Sequence, residues 1–252
     1  MTDLTGRVAL VTGGNGGIGL GMAEALARAG ADVVIWGRNE DKNAAASAQL
    51  AKSGQRVAAF ACDVSDESQV DDTFARSLDA MGRVDCFFAN AGTSHAGKIV
   101  AKTSLDSWRR VMSVNLDSVF LCLRAASKHM IERGDGGALT VVSSTAAIHG
   151  AAGNASYSTS KTAILGLMRA MAVEMARYKV RVNALLPGWT KTDLARGGYE
   201  SDVFRTATTQ RTPVRRWAEP SEMGAAAVFL ADPALTFHTG DTVVVDGGYT
   251  IY

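Results

Sequence analysis

Short, unbroken apolar runs alternate along this chain with longer segments whose apolar residues return at helical spacing. The run RVALVT (7–12) ends in glycines, and Leu20, Ala23, Leu26 and Ala27 then recur three or four residues apart, with Gly30 as the stop. That pattern predicts a strand followed by a helix over 18–29. DVVIW (32–36) is β-branched and unbroken, Asn39 is placed to cap an Ala-rich helix, and RVAAFAC (56–62) reads as the third strand. The alternation continues through a helix at 67–81, a strand at 84–89, a long helix at 108–133 and a strand at 138–143. A helix following SYSTSK, a strand at 180–186, an irregular stretch, a helix at 221–231 and a last strand at 242–246 complete it.

About seven strands, mostly continuous in hydrophobicity, are what a sheet covered by helices on both faces requires. The fold class expected is α/β, a doubly wound Rossmann-type fold with mostly parallel strands. No Pro- or Ser-rich linker or internal repeat interrupts the 252 residues, so residues 1–252 read as one domain. Ligands of such a fold sit beyond the C-terminal ends of the strands, so chemistry is expected in the residues just after each strand.

Composition narrows the classes. A net charge of +1, 47% hydrophobic residues and no block of like charge argue against a nucleic-acid partner or a disordered tail. Cys62, Cys86 and Cys122 are odd in number, far apart and set in apolar runs, which predicts core thiols and neither a disulfide framework nor a metal site. No targeting segment or run of about 20 apolar residues is found, so a cytoplasmic protein away from membranes is expected.

The turn TGGNGGIG (12–19) joins the first strand to the first helix. Its glycines let backbone N–H groups approach an anion, and the helix N-terminus adds favourable partial charge for a pyrophosphate. The spacing is T-G-x-x-x-G-x-G, and no G-x-x-x-x-G-K-[ST] occurs, which disfavours an NTPase. With this spacing the chain resembles the short-chain dehydrogenase/reductase family. The resemblance extends to Asp63 and Val64 after the third strand, NAG (90–92) after the fourth, Asn115 in SVNLDSVF, Ser144 placed 13 positions before Tyr157, Lys161 four after it, PGWTKT (187–192), and VDGG (245–248). Each element alone has an ordinary structural reading: a buried amide for Asn115, a turn serine for Ser144, a helix cap for Asp63. A Tyr and a Lys four apart are neighbours on any helix.

The resemblance implies an enzyme that exchanges hydride between a nicotinamide cofactor and an alcohol or ketone. Its catalytic residues would be Asn115, Ser144, Tyr157 and Lys161. Cofactor contacts would come from Gly13, Asn15, Gly17, Ile18, Gly19, Arg38, Asp63, Val64, Asn90, Ala91, Gly92, Tyr157, Lys161, Pro187, Gly188, Thr190 and Thr192. Tyrosine titrates near about 10, so it needs a neighbouring cation to work near neutrality. One unit charge about 4 Å away at an effective dielectric near 20 supplies roughly 4 kcal/mol, about three pKa units. Lys161 on the same helix face, with an oxidised nicotinamide, fits that need. In reduction Tyr157 would give a proton to the carbonyl oxygen while Ser144 polarises it. The family resemblance further assigns Lys161 to the ribose hydroxyls and Asn115 to a water that relays protons.

The second strand ends VVIWGRN, with Gly37 where an NAD-preferring site places an acid and Arg38 beside it, which favours NADP over NAD. Gly16 stands where many NADP-using relatives carry a basic residue. The substrate loop expected at 189–218 carries Lys191, Arg196, Arg205, Arg211, Arg215 and Arg216 against Asp193, Glu200 and Asp202. An acidic substrate or a solvated loop face both account for that excess. His95, His149 and Trp189 follow strand-end motifs and are candidates to line the pocket. The small-molecule substrate stays open among a ketone, a sugar or polyol, a steroid-like alcohol and a 3-oxoacyl thioester. A homotetramer or homodimer is expected from the resemblance, and a catalytically silent dinucleotide sensor is the rival reading.

Overall fold

The computed structural model describes residues 2–94 and 99–252. Seven strands form one parallel sheet: β1 (Val8–Thr12), β2 (Asp32–Gly37), β3 (Val57–Ala61), β4 (Cys86–Ala89), β5 (Gly137–Val142), β6 (Val180–Pro187) and β7 (Thr242–Val245). Their order is β3-β2-β1-β4-β5-β6-β7, so the winding reverses between β1 and β4, and a crevice for ligands opens at that edge. Every pair is parallel, so all the strands finish on the same side.

Why the strands lack an alternating polar pattern is plain at β1. Val8 and Leu10 enter one core with Val34, Trp36 and Phe87, while Ala9 and Val11 enter the other with Ile35 and Phe88. Both faces are dry because helices cover both. The helices α1 (Gly17–Arg28), α2 (Glu40–Leu50) and α9 (Gly224–Ala231) close the second core. The first is closed by α3 (Glu67–Met81), α5 (Ser118–Arg133) and α6 (Ala155–Met175). Trp36 anchors that core edge-on to Phe74 and Phe87, with its indole N–H donating to the Ser77 hydroxyl at 3.0 Å. Asn39 caps α2 by accepting from the Lys42 amide at 2.8 Å. All three thiols are buried and free, and burial raises each, Cys86 to about 12.

Two elements differ from the pattern read in the sequence. The long helix expected over 108–133 is two helices, α4 (Leu105–Met112) and α5, joined by a π-helical stretch at Ser113–Asp117. The extra residue in that turn swings Asn115 into the interior, where it is fully buried. The stretch expected to be irregular carries a short 3-10 turn (Asp193–Ala195) followed by α7 (Arg196–Glu200) and α8 (Asp202–Arg211). Those helices are mostly polar, so hydrophobic periodicity gave no sign of them. Among the described residues no helix is long and apolar enough to cross a membrane, and no cluster of three His, Cys, Asp or Glu could hold a metal ion.

Candidate active site

The glycine turn after β1 is held by a second strand end. Thr12, which opens the glycine turn and was not among the expected site residues, accepts from the amides of both Asn90 and Ala91 at 3.0 Å. The Asn90 side-chain amide donates to the Thr12 carbonyl at 2.8 Å. Gly13 has a φ of +64°, a conformation costly to any residue with a Cβ. A Cβ on Gly19 would lie 2.5 Å from the Asn90 amide nitrogen and closer still to the Gly13 carbonyl oxygen. The turn therefore folds tightly against NAG and opens straight into α1. No side chain caps that helix, and its first turn holds no acidic residue. Its leading N–H groups thus keep an unopposed partial positive charge, which suits a pyrophosphate. Ile18 is half-buried against the core beneath, and Gly17 lies beside Thr192, whose methyl carbon would be 3.2 Å from an added Cβ.

At the end of β2, Gly37 is set by packing. A Cβ there would overlap the Asn15 amide and stand 2.6 Å from Asn43 Oδ1, because Asn15 donates to Asn43 at 2.7 Å beneath the turn. A side chain at that position would have to displace the Asn15 and Asn43 amides from their bond to each other. Arg38, the next residue, is exposed, and its positive charge helps hold the Asp63 carboxyl below its ordinary value, behind the hydrogen bond from Ser65 and against partial burial. Asp63 accepts from the Ser65 hydroxyl at 2.7 Å, while the cap of α3 is Asp66. Val64 is buried at the same edge.

The remaining candidates gather where β4, β5 and α6 meet. Ser144, the serine that the resemblance selects, is preceded by Ser143, which is buried and donates to the Lys161 carbonyl at 2.7 Å. Ser144 accepts from the Ala146 amide at 3.1 Å, and its hydroxyl is near enough to the Tyr157 phenol to pull the phenol's pKa down. Lys161 lies 5.8 Å from the Tyr157 ring centroid and donates to the Val142 carbonyl at 2.8 Å. It is buried and makes no ion pair among the described residues. Burial accordingly lowers its pKa to about 8. Burial raises the Tyr157 phenol, with the Ser144 hydroxyl pulling it partly back. The chain's own groups thus hold the phenol protonated at neutral pH, the form that a proton donor requires.

Asn115 donates to the Thr93 carbonyl at 2.9 Å and the Ser160 hydroxyl at 3.0 Å, and accepts from the Thr93 amide at 2.8 Å. Both its N–H donors are committed, leaving one lone pair of Oδ1. Thr93 and Ser160 carried no sequence signal of their own. A Cβ on Gly92 would lie 3.4 Å from Asn115 Oδ1 and 3.5 Å from Lys161 Nζ, so NAG reaches the lysine. After β6, the Gly188 amide donates to the Val245 carbonyl at 2.9 Å, Thr190 is buried and donates to the Gly188 carbonyl at 3.0 Å, and Thr192 caps the following turn by accepting from Ala195 at 3.2 Å. The 187–192 segment thereby returns from Pro187 to the glycine turn. Trp189 and His149 are both drawn to Tyr249, with ring centroids at 6.3 and 5.2 Å. His95 lies outside the described residues.

A parallel sheet in this order, with a glycine turn feeding an uncapped helix at the reversal and Ser144, Tyr157 and Lys161 grouped after β5 and on α6, defines a Rossmann-type α/β protein. The comparisons with known proteins agree. The family model described as Enoyl-(Acyl carrier protein) reductase matches residues 13–250. The 2,5-dichloro-2,5-cyclohexadiene-1,4-diol dehydrogenase of Sphingobium indicum is 36% identical over 251 residues, 99% of each chain. The structure of a gluconate 5-dehydrogenase from Burkholderia cenocepacia in complex with NADP and tartrate is 35% identical, with a TM-score of 0.94 over 99% of this chain and 97% of that one. NADPH-dependent 3-quinuclidinone reductase from Rhodotorula rubra is 31% identical, with a TM-score of 0.92 over 99% of this chain and 93% of that one. The chain belongs to the short-chain dehydrogenase/reductase family and is an oxidoreductase.

Proposed function

We propose that the protein interconverts an alcohol and a ketone with NADP as the preferred cofactor, using Tyr157 as proton donor and acceptor. The observation that carries this reading is the placing of Ser144 and Lys161 beside one half-buried phenol. When bound, the nicotinamide supplies hydride in one direction and accepts it in the other. Tyr157 gives its proton to the carbonyl oxygen in reduction and takes it back in oxidation. Ser144 donates a hydrogen bond to that oxygen as negative charge grows on it. Lys161 uses one donor on Val142 and has two more for ribose hydroxyls. Asn115 holds the Thr93 and Ser160 positions and offers its remaining Oδ1 lone pair to a relaying water.

The cofactor would lie with its pyrophosphate over Gly13, Asn15, Gly17, Ile18 and Gly19, its adenine near Asp63 and Val64, and its nicotinamide side among Asn90, Ala91, Gly92, Pro187, Gly188, Thr190 and Thr192. Arg38 takes the 2′-phosphate. Gly37 supports that preference because it leaves no acid to accept from a ribose 2′-hydroxyl, and two of the matched structures are described with NADP or as NADPH-dependent. Arg38→Ala is expected to weaken NADPH binding by about 10- to 100-fold, the loss of one charge-assisted contact, and to leave NADH binding within about twofold. Fluorescence titration of wild type and variant with each nucleotide reads this, and an unchanged NADPH affinity would remove Arg38 from the site.

Residues 189–218 are the substrate loop of this reading. A cytoplasmic homotetramer or homodimer is the assembly we expect; Phe120, Ile131 and Val173 leave apolar surface exposed on α5 and α6, and sedimentation velocity decides the state.

A further inference from the structure

The excess of positive charge in the substrate loop is largely paired in the fold. Lys191 pairs with Glu219, Arg196 with Asp193, Arg205 with Asp202, and Arg216 with Glu222 at 2.6 Å. Among the described residues only Arg211 and Arg215 of that loop have no carboxylate within ion-pair distance, and Arg215 donates to the Gln210 carbonyl. Arg211, the last residue of α8, instead stands over the Tyr249 ring at 4.4 Å from its centroid. Asp246, the carboxylate nearest in sequence to Tyr249, is spent holding the C-terminal turn, accepting from the amides of Gly248 and Thr250 at 2.8 Å.

Tyr249 is where three strand-end segments meet. His149, five residues beyond Ser144, packs against it, and Trp189 approaches it edge-on. The Gly247 carbonyl accepts from Val214 at 3.2 Å, which ties the turn before Tyr249 to the chain just beyond Arg211. Trp189 also stacks on Trp217 at 5.0 Å, and the two indoles differ in one respect. The Trp217 N–H donates to Thr208 at 2.8 Å, whereas the Trp189 N–H is buried without a partner. His149 is alike: its Nδ1 is 3.2 Å from the Gly150 carbonyl, to which it donates, and its Nε2 is buried with no partner. An unpaired buried polar group costs about 1–3 kcal/mol, and a ligand oxygen accepting from Trp189 Nε1, or a ligand hydroxyl donating to His149 Nε2, removes that cost.

We propose that the substrate is a small hydroxy- or oxo-carboxylate whose carboxylate is bound by Arg211, with its carbon body along the Trp189 and Tyr249 faces, a carboxylate or other ligand oxygen within reach of Trp189 Nε1, and its reacting hydroxyl or oxo group left to Tyr157 and Ser144. This rests on the alcohol/ketone reading. A planar guanidinium fork matches a carboxylate bidentately, and one unit of charge balances one carboxylate. Aromatic walls suit a compact ring or short carbon chain.

The test uses NADPH-loaded enzyme and two matched pairs. These are 4-oxocyclohexanecarboxylate against its carboxamide, and a six-carbon oxo-sugar acid against the neutral ketose. Binding is read by tryptophan fluorescence and turnover by NADPH oxidation. The acid of at least one pair is expected to bind at least about tenfold more tightly than its neutral partner, as a charge-assisted contact allows. Arg211→Met brings that ratio to about one, and Arg211→Lys restores part of it. Equal binding of acid and neutral partner in both pairs, no binding of either acid, or a ratio unchanged in Arg211→Met overturns the proposal. A neutral ketone reduced while the acids are refused would sink the substrate class and leave the alcohol/ketone reading standing. Failure to bind NADPH would instead sink that reading.

Discussion

Tyr157→Phe is expected to lower turnover by at least about a thousandfold while leaving NADPH affinity within about twofold. The substitution removes one hydroxyl and keeps the ring that packs beside Lys161 and faces Ser144. Burial holds that hydroxyl protonated well past neutrality, and nothing else among the described residues places an acid at the Ser144 hydroxyl. Residual turnover above about a tenth of wild type would mean that another group moves the proton. The same cluster sets a pH dependence. Lys161, lowered to about 8, is an ammonium below that pH and neutral above it. The kcat/KM for NADPH, which reports the groups of the free enzyme, should be level near neutrality and fall as pH rises through about 8. A profile flat to pH 9 would contradict the lysine's part in binding.

Gly19→Ala carries the second large effect, and its neighbour Gly16→Ala is the control. The new methyl at residue 19 would meet the Gly13 carbonyl and stand 2.5 Å from the Asn90 amide, two groups fixed by backbone and by bonds to Thr12. Overpacking of this kind costs about 1–3 kcal/mol, which for a chain of this size lowers Tm by about 2–10 °C. Because the displaced atoms form the pyrophosphate cradle, NADPH affinity should fall at least about 100-fold as well. At Gly16 nothing lies within 4 Å of an added Cβ, and the φ of 179° is extended backbone open to any residue. Thermal unfolding should therefore place Gly16→Ala within about 1 °C of wild type. Equal Tm values for the two variants would contradict the tight turn.

Much of this was legible in the chain because it is local. Apolar runs bounded by glycine fix strand ends, and helix α3 spans 67–81 as its periodicity predicts. Motif order places Ser144 after a strand and Tyr157 and Lys161 on the helix that follows, and in the fold Lys161 lies 5.8 Å from the Tyr157 ring centroid. What the sequence hid depends on pairing at a distance. The π turn at Ser113–Asp117 leaves no mark on hydrophobic spacing, yet it decides that Asn115 faces inward. The bond from the neighbouring Ser143 to the Lys161 carbonyl likewise had no signal in the sequence. The absent acid at Gly37 looked like a choice of cofactor alone, and the structure adds that the bonded Asn15 and Asn43 amides pack against the space a side chain there would take. Arg211 was one cation among six until salt bridges absorbed four of the others.

The most direct measurement is a fluorescence titration of the purified protein with NADPH and with NADH, with 340 nm oxidation followed on addition of a ketone. Saturable NADPH binding at least about tenfold tighter than NADH binding, followed by ketone-dependent oxidation that Tyr157→Phe abolishes, is the result predicted. NADH bound as tightly as NADPH would contradict the cofactor preference, and binding of neither would contradict the dinucleotide site on which the whole account stands.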